Sequence, residues 1–153
     1  MTRVAVLGAK GRMGSTSAAA IEAADGLELV ARIDLGDELA QLVDSNTEAA
    51  LVFTTPDVAL DQVRWCIERG IHVVIGTSGF DDEAIAQLRQ EADSHPSVGV
   101  LVVPNFSVGA VLMMRFAAVA APFFESVEVI EMHHPDKVDA PSGTAVRTAE
   151  LIG

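Results

Sequence analysis

Residues that transfer protons and bind anions are concentrated in segment 131–144, which reads Glu-Met-His-His-Pro-Asp-Lys-Val-Asp-Ala-Pro-Ser-Gly-Thr. His133 and His134 are adjacent, and Lys137 follows three positions later. Imidazole and ammonium groups on one loop can converge on a ligand and exchange protons with it. The run Ser142–Thr144 precedes a predicted helix, where a capping side chain and free backbone N–H groups suit a carboxylate. The segment therefore predicts proton transfer to an anionic ligand.

Two other interpretations of this segment stay open. His133, His134 and a carboxylate from Glu131 or Asp136 are all residue types that bind metal ions. Adjacent side chains on a strand point to opposite faces, which disfavours a shared metal ion. The second alternative is a purely structural loop. We predict no metal site.

A glycine-rich turn, Gly8-Ala9-Lys10-Gly11-Arg12-Met13-Gly14, follows the first predicted strand and opens the first predicted helix. Glycines in this place allow a tight turn and let backbone N–H groups approach a pyrophosphate at the positive end of the helix dipole. The spacing is G-x-x-G-x-x-G, whereas the dinucleotide fingerprint is G-x-G-x-x-G. A loop that merely needs glycine is therefore the alternative to a nucleotide site.

Asp34 ends the second predicted strand about twenty residues after Gly14, where an acid accepts hydrogen bonds from an adenine-ribose hydroxyl. Lys10 and Arg12 lie within the glycine turn, where cations can contact a ribose 2′-phosphate or the pyrophosphate. Asp34 favours NADH and the two cations favour NADPH, so we expect both cofactors to bind. The alternative for Lys10 and Arg12 is that they are solvated surface cations.

Short β-branched runs alternate with segments of helical period, which predicts an α/β fold with a doubly wound parallel sheet. The six predicted strands are Arg3–Leu7, Leu27–Ile33, Ala50–Thr54, His72–Gly76, Val98–Val103 and Val127–His133. The predicted helices are Met13–Ala24, Asp57–Arg69, Asp81–Asp93 and Ser107–Ala121, with a short helix flanked by loops within Gly36–Thr47. The loops Gly76–Phe80 and Pro104–Phe106 follow parallel strands, at the sheet edge where ligands bind in this class.

Composition and charge narrow the possible functions. The 153 residues include 22 acidic and 10 basic ones, and a net charge of −12 opposes nucleic-acid binding. The single cysteine, Cys66, is expected to be a buried thiol, which favours a reducing, cytoplasmic setting without an export signal. The apolar segment Phe106–Phe124 carries Arg115 near its centre, so we interpret it as a buried helix and not as a membrane span.

These motifs together resemble the dihydrodipicolinate reductase family. The resemblance is carried by the opening Val4–Gly14, by Gly76–Phe80, by Pro104–Gly109 and above all by His133–Thr144. It implies a Rossmann-like domain over residues 1–106 and the start of a smaller α+β substrate-binding and oligomerisation domain over 107–153. Ser78 stands where the family commonly has threonine, and the hydroxyl is kept.

The resemblance also implies an activity, the NAD(P)H-dependent reduction of 4-hydroxy-tetrahydrodipicolinate to tetrahydrodipicolinate in diaminopimelate and lysine synthesis. His133 would be the general acid/base and Lys137 a proton donor, while His134, Gly143 and Thr144 would bind the dicarboxylate. The residues implied in cofactor binding are Gly8, Ala9, Lys10, Gly11, Arg12, Met13 and Asp34 for the adenosine and pyrophosphate, and Gly76, Thr77, Ser78, Val103, Pro104, Asn105 and Phe106 for the nicotinamide.

Members of the family are longer, because a mixed sheet follows the segment that resembles them most. We therefore expect a chain truncated at its C-terminus, in which the family's homotetramer is doubtful. One alternative is a non-catalytic fragment that binds NAD(P)H without turnover. Another is a different dehydrogenase that shares only the front fold.

Overall fold

The computed structural model describes residues 1–80, 82–103, 105–133 and 140–153. Within them the chain forms two compact units, Met1–Val103 and Pro104–Gly153. His134 and Lys137, with the rest of segment 134–139, lie outside the described residues, as do Asp81 and Pro104.

The first unit is a five-stranded parallel sheet with helical connections. Its elements are β1 (Thr2–Leu7), α1 (Arg12–Ala23), β2 (Leu27–Ile33), α2 (Gln41–Asp44), β3 (Ala49–Val52), α3 (Pro56–Ile67), β4 (His72–Ile75), α4 (Asp82–Ser94) and β5 (Val100–Val102). The strand order is β2-β1-β3-β4-β5, so the chain reverses its direction of winding between β1 and β3. This is a doubly wound order, which confirms the predicted fold class.

Strand β1 shows why the sheet is covered on both faces. Successive side chains of a strand point to opposite faces. Val4 and Val6 pack in one buried cluster with Ala18 of α1, whereas Leu7 packs in a second cluster with Val63 of α3. Both sets of β1 side chains are thus buried under helices, as the continuous apolar sequence of this strand predicts.

Cys66 belongs to the second of these clusters and is fully buried. Burial raises the pKa of its thiol to about 12, because the thiolate would lose its hydration. The predicted buried thiol is confirmed, and at neutral pH it is protonated and poorly nucleophilic.

The polar connection between β2 and β3 contains one helical turn, α2, as predicted within Gly36–Thr47. Leu42 anchors this turn, because its side chain is fully buried in the main core. Leu35, in the same connection, is 98% exposed.

The second unit contains two helices, α5 (Val108–Ala120) and α6 (Gly143–Ile152), and a 3₁₀ turn at Ala121–Phe123. Serines cap both helices: Ser107 Oγ accepts from the Ala110 N–H (3.3 Å) and Ser142 Oγ accepts from the Ala145 N–H (3.2 Å). These bonds satisfy N–H groups that have no partner within the helix, and they fix where each helix begins.

The prediction of a sixth strand at Val127–His133 is wrong, because the structure assigns no strand there. A β-strand requires a neighbour that accepts and donates its ladder hydrogen bonds. No described segment of the second unit pairs with residues 127–133. The alternating apolar residues have the period of a strand, but this period does not show whether a neighbouring strand is present to pair with it.

The helix predicted at Ser107–Ala121 is confirmed as α5, but the prediction that the segment Phe106–Phe124 is buried is wrong. Among the residues of α5 only Met114 is buried, while Val108, Phe116 and Val119 are largely exposed. A helix that is apolar on every side needs covering on every side, and in the described part of the second unit α5 packs chiefly against α6. As for the membrane question, none of the described helices has the length and hydropathy needed to cross a bilayer.

The contrast between Leu42 and Leu35 gives a stability prediction. Leu42→Ala should lower the free energy of unfolding by about 2–5 kcal/mol, because it removes buried methyl groups and leaves a cavity. Leu35→Ala makes the same chemical change at an exposed site and should alter the free energy of unfolding by less than about 0.5 kcal/mol. Urea unfolding followed by the fluorescence of Trp65, the single tryptophan, measures both. Equal effects of the two substitutions would show that α2 is not anchored by Leu42.

Candidate active site

The glycine turn runs directly against the end of β3. Gly8 has a φ of +78°, and a Cβ atom on it would lie 2.6 Å from the carbonyl oxygen of Phe53. The amide N–H groups of Gly8 and Ala9 both donate to the carbonyl oxygen of Ile33, at 2.8 and 3.1 Å. Only glycine meets both the backbone conformation and the close contact at position 8.

Helix α1 begins in van der Waals contact with this turn. A Cβ atom on Gly14 would lie 2.0 Å from the Gly8 carbonyl oxygen and 2.9 Å from Cα of Ala9. At Gly11 the corresponding contact with the Gly8 oxygen is 3.2 Å, which is tight but less severe. The first turn of α1 can therefore lie this close to the loop only because position 14 has no side chain.

The N-terminus of α1 lacks a side-chain cap. Gly11 is the N-cap residue and makes no side-chain hydrogen bond to the helix. The N–H groups of the first turn, at Arg12 and Met13, have no carbonyl partner one turn earlier within the helix. A helix start with free N–H groups and no side chain in front of it is a suitable site for a phosphate group.

Asp34 lies at the end of β2 and closes on the glycine turn. Its Oδ2 accepts from the Lys10 N–H (2.6 Å) and its Oδ1 accepts from the Leu35 N–H (2.9 Å). These two bonds, the one from Lys10 first, hold the pKa of the Asp34 carboxyl below its usual value, because they favour the ionised form. The structure thus brings together Asp34 and the loop that carries Lys10, which are far apart in sequence.

Lys10 and Arg12 are both exposed. Within the described residues neither side chain forms an ion pair with a carboxylate of the protein. Both cations therefore remain available to an anionic ligand at the glycine turn.

The ends of β3 and β4 lie at the same edge of the sheet. The Gly76 N–H donates to the Val52 carbonyl (2.9 Å), and Thr77 Oγ1 donates to the carbonyl of Thr54 (3.0 Å). The hydroxyl of the buried Thr77 thus joins the segments that follow β3 and β4. Ser78 beside it is exposed.

Sequence reasoning did not include Phe53 and Thr54 among the candidate site residues. The structure places the Phe53 carbonyl against Gly8 and the Thr54 hydroxyl on Gln62 of α3, at 2.6 Å. A signal for them was present, because both lie at the carboxyl end of the predicted strand Ala50–Thr54, and the carboxyl edge of a parallel sheet binds ligands.

The remaining residues predicted to line the nicotinamide fall in different places. Val103 follows β5 and donates its N–H to the Ile75 carbonyl (2.9 Å) in the first unit. Asn105 and Phe106 belong to the second unit, and Pro104 lies outside the described residues.

In the second unit, Asn105 and α6 are joined by side-chain hydrogen bonds. Asn105 Nδ2 donates to Thr144 Oγ1 (2.9 Å), and Asn105 Oδ1 accepts from the Ser107 N–H (2.7 Å). A residue predicted for the cofactor therefore lies in contact with one predicted for the substrate. Gly143, which the resemblance also implies in substrate binding, is the exposed first residue of α6.

Glu131 links His133 to the start of α6. Its Oε2 contacts Nδ1 of the His133 ring, and its Oε1 accepts from the Ser142 N–H (3.1 Å). These residues lie in the wall of an open cavity of about 480 Å³, which also includes Met113 of α5 and Thr144 of α6. The described part of the chain contains no group of three residues placed to hold a metal ion, although His134 and Asp136 lie outside it.

Two family models together match nearly the whole chain. The family model described as "Dihydrodipicolinate reductase, N-terminus" matches residues 2–106, and the one described as "Dihydrodipicolinate reductase, C-terminus" matches residues 109–153. Two relatives named 4-hydroxy-tetrahydrodipicolinate reductase, from Streptomyces coelicolor and Mycolicibacterium gilvum, are 57% and 56% identical over 150 residues. The match covers 98% of this chain in both cases, and 60% and 61% of the relatives.

Solved structures show the same likeness. A dipicolinate-bound dihydrodipicolinate reductase from Paenisporosarcina sp. TG-14 superposes with a TM-score of 0.81 at 38% identity, covering 99% of this chain and 65% of that one. A scyllo-inositol dehydrogenase from Lactobacillus casei superposes with a TM-score of 0.61 at 15% identity, over 78% of this chain and 42% of that one, and shares the fold alone. This chain, which spans about 60% of the length of its curated relatives, belongs to the dihydrodipicolinate reductase family.

Proposed function

We propose that the chain forms the nucleotide-binding part, and the first elements of the substrate-binding part, of an NAD(P)H-dependent 4-hydroxy-tetrahydrodipicolinate reductase. The observation that carries this proposal is the closed arrangement of the glycine turn, in which Gly14 packs on Gly8 and Asp34 accepts from the Lys10 N–H. A cradle that a single Cβ atom would fill, next to uncapped helix N–H groups, fits the pyrophosphate of a dinucleotide.

In this proposal the cofactor lies across the carboxyl edge of the sheet. The loop from Gly8 to Met13 binds the pyrophosphate, with Ala9, Lys10, Gly11 and Arg12 between them, and Asp34 accepts from the adenine-ribose hydroxyls. Gly76–Ser78 and Val103–Phe106 line the nicotinamide. When bound, the nicotinamide supplies the hydride, and the protein orients it and excludes water.

The charges at this edge favour the use of both NADH and NADPH. The ionised Asp34 carboxylate can bind a ribose diol, while the exposed cations Lys10 and Arg12 can bind a 2′-phosphate. The overall charge of −12 repels other polyanions, so the local cations select a small anionic ligand and not a nucleic acid.

The substrate proposed is a cyclic dicarboxylate. Gly143 and Thr144 lie at the N-terminus of α6, where free N–H groups bind one carboxylate, and His134 contributes to binding. His133 acts as the general acid/base and Lys137 as a proton donor. Residues 1–106 then form the dinucleotide-binding domain and 107–153 the start of the substrate-binding domain, in an enzyme that we place in the cytoplasm.

A second candidate function is cofactor binding without turnover. It is favoured by the fact that the glycine turn and Asp34 come together within the first unit alone. Oxidation of NADPH with freshly generated hydroxy-tetrahydrodipicolinate, with parallel titrations of NADH and NADPH, separates the two. Turnover supports the reductase, binding alone supports the second candidate, and absence of both by a folded chain contradicts the nucleotide site.

The close contact at Gly14 predicts a selective loss of cofactor binding. Gly14→Ala should weaken NADPH binding by at least about tenfold, because its Cβ would displace the Gly8 carbonyl and with it the loop. Gly11→Ala, whose Cβ has a 3.2 Å contact, should weaken binding less. Calorimetric titration, with circular dichroism to verify folding, measures this. Wild-type affinity in a folded Gly14→Ala variant would contradict the proposed cradle.

Neutralising Asp34 should change the preference between cofactors. Asp34→Asn should weaken NADH binding by about tenfold, through loss of a charge-assisted acceptor, and weaken NADPH binding less, because a 2′-phosphate no longer meets a negative charge. Since the pKa of Asp34 is lowered, its carboxylate stays ionised and the wild-type affinity for NADH should persist from neutral pH down to about pH 5. Asp44→Asn, an equal charge change on α2, is the control. An unchanged ratio of the two affinities would rule out Asp34 as the ribose ligand.

Replacing the proposed acid/base should separate catalysis from binding. His133→Ala should lower kcat by about 100-fold or more, the usual contribution of a general acid, and leave the Kd of NADPH within about twofold. His95→Ala, a change of the same type in the first unit, should leave both within about twofold. Equal losses of turnover and of cofactor affinity in His133→Ala would contradict the assigned role.

A further inference from the structure

Glu131 connects His133 to the start of helix α6. Its Oε1 accepts from the backbone N–H of Ser142 (3.1 Å). Its Oε2 is buried, contacts the Nδ1 atom of His133 and accepts no hydrogen bond from the described residues. Ser142 is itself buried and caps α6 through its own hydroxyl. The Glu131 carboxylate is therefore held at one end by a helix start and holds an imidazole ring at the other.

The exposure of the two side chains differs in a useful direction. The side chain of Glu131 is 25% exposed and that of His133 is 39% exposed. The carboxylate thus lies deeper in the cavity wall than the ring it contacts, and the ring stays accessible to a ligand. In the described part of the chain, no carboxylate other than that of Glu131 pairs with His133.

The chemistry of the pair determines which ring nitrogen can react. A carboxylate only accepts hydrogen bonds, and Oε2 of Glu131 is buried without a hydrogen-bond partner among the described residues. A hydrogen on the Nδ1 atom that Oε2 contacts would satisfy this oxygen. We propose that Glu131 is a positioning residue that holds His133 in the Nδ1–H tautomer and leaves Nε2 as the nitrogen that exchanges a proton with the substrate. This inference rests on the acid/base role proposed above for His133.

The proton balance of the step follows from this tautomer. In the cationic ring both nitrogens carry hydrogen, and the Nδ1–H group can donate to the Glu131 carboxylate. After the 4-hydroxyl group and a ring hydrogen have left as water, the substrate is an unsaturated ring. As a bound nicotinamide would add hydride to one carbon of that ring, the Nε2–H bond breaks and a C–H bond forms at the neighbouring carbon. The ring is left neutral with its hydrogen on Nδ1, and a proton from water restores the acid.

Two substitutions at Glu131 separate the hydrogen-bond acceptor from the shape of the side chain. Glu131→Gln keeps an acceptor oxygen, whereas Glu131→Met keeps the length of the side chain and removes the acceptor. Glu128→Met is the matched control, because Glu128 lines the same cavity. The readout is the ¹⁵N NMR pattern of the neutral His133 ring in the ligand-free 153-residue chain, assigned with His133→Gln, and amide spectra verify folding.

We expect the Nδ1–H pattern in wild type, in Glu131→Gln and in Glu128→Met. In Glu131→Met the ring should change to the Nε2–H form that a solvated histidine side chain favours in water. An Nε2–H ring in the wild type, or an Nδ1–H ring in a folded Glu131→Met variant, would overturn the proposal.

Kinetics distinguish this inference from the proposed function. If the wild-type chain reduces the dicarboxylate, Glu131→Met should lower kcat by about tenfold or more with little change in KM, and Glu131→Gln should recover most of that loss. Equal kcat values in wild type and Glu131→Met would overturn the positioning role. A wild-type chain that shows the predicted tautomer but does not turn over would instead contradict the reductase function.

Discussion

The contact between Gly14 and the Gly8 carbonyl is the constraint on which the proposed nucleotide site at the carboxyl edge of the sheet depends. With no side chain at position 14, α1 can start within van der Waals distance of the turn that follows β1. The same turn is held from two other sides, by the Ile33 carbonyl of β2 and by the Asp34 carboxylate. A backbone turn fixed on three sides presents its N–H groups in one geometry, so a phosphate can bind there without paying for loop ordering.

The same physical arrangement recurs in the second unit. There a carboxylate, Glu131, joins the start of α6 to the His133 ring, as Asp34 joins the end of β2 to the glycine turn. In both places an acidic side chain accepts from a backbone N–H of another segment and so fixes a group that is proposed to meet the ligand. In the proposed function, the first carboxylate orders an anion site and the second orders a proton donor.

Sequence reasoning predicted the sheet well because its signals are local. Apolar runs and their flanking glycines located the five strands of the first unit to within about two residues at each end, and the buried Cys66 followed from helical spacing. Gly8 and Asp34 were predicted from their positions, because a tight turn after the first strand needs glycine and an acid at the end of the second strand lies at the same sheet edge. The hydrogen bond between Asp34 and Lys10, however, depends on the pairing of β1 with β2, which no single segment of sequence reveals.

The errors concern the second unit, where structure depends on partners. Alternation at Val127–His133 indicated a strand, but no described segment pairs with it. The apolar sequence of α5 indicated a buried helix, but α6 does not cover it on every side. Glu131 was considered only as a metal ligand, because its spacing from His133 says nothing of the Ser142 N–H that orients it. Contacts between distant segments were therefore what sequence could not provide.

The central claim is that the N–H groups at the start of α1, together with Asp34, hold a nicotinamide dinucleotide. The most direct measurement is an NMR titration of the ¹⁵N-labelled chain with NADPH, in which each backbone amide reports its own environment. The account predicts the largest shifts at the amides of Gly8–Gly14 and Leu35, next to the loop and the Asp34 carboxylate. Shifts confined to α4 or α6, or no shift at the glycine turn at saturating NADPH, would contradict it.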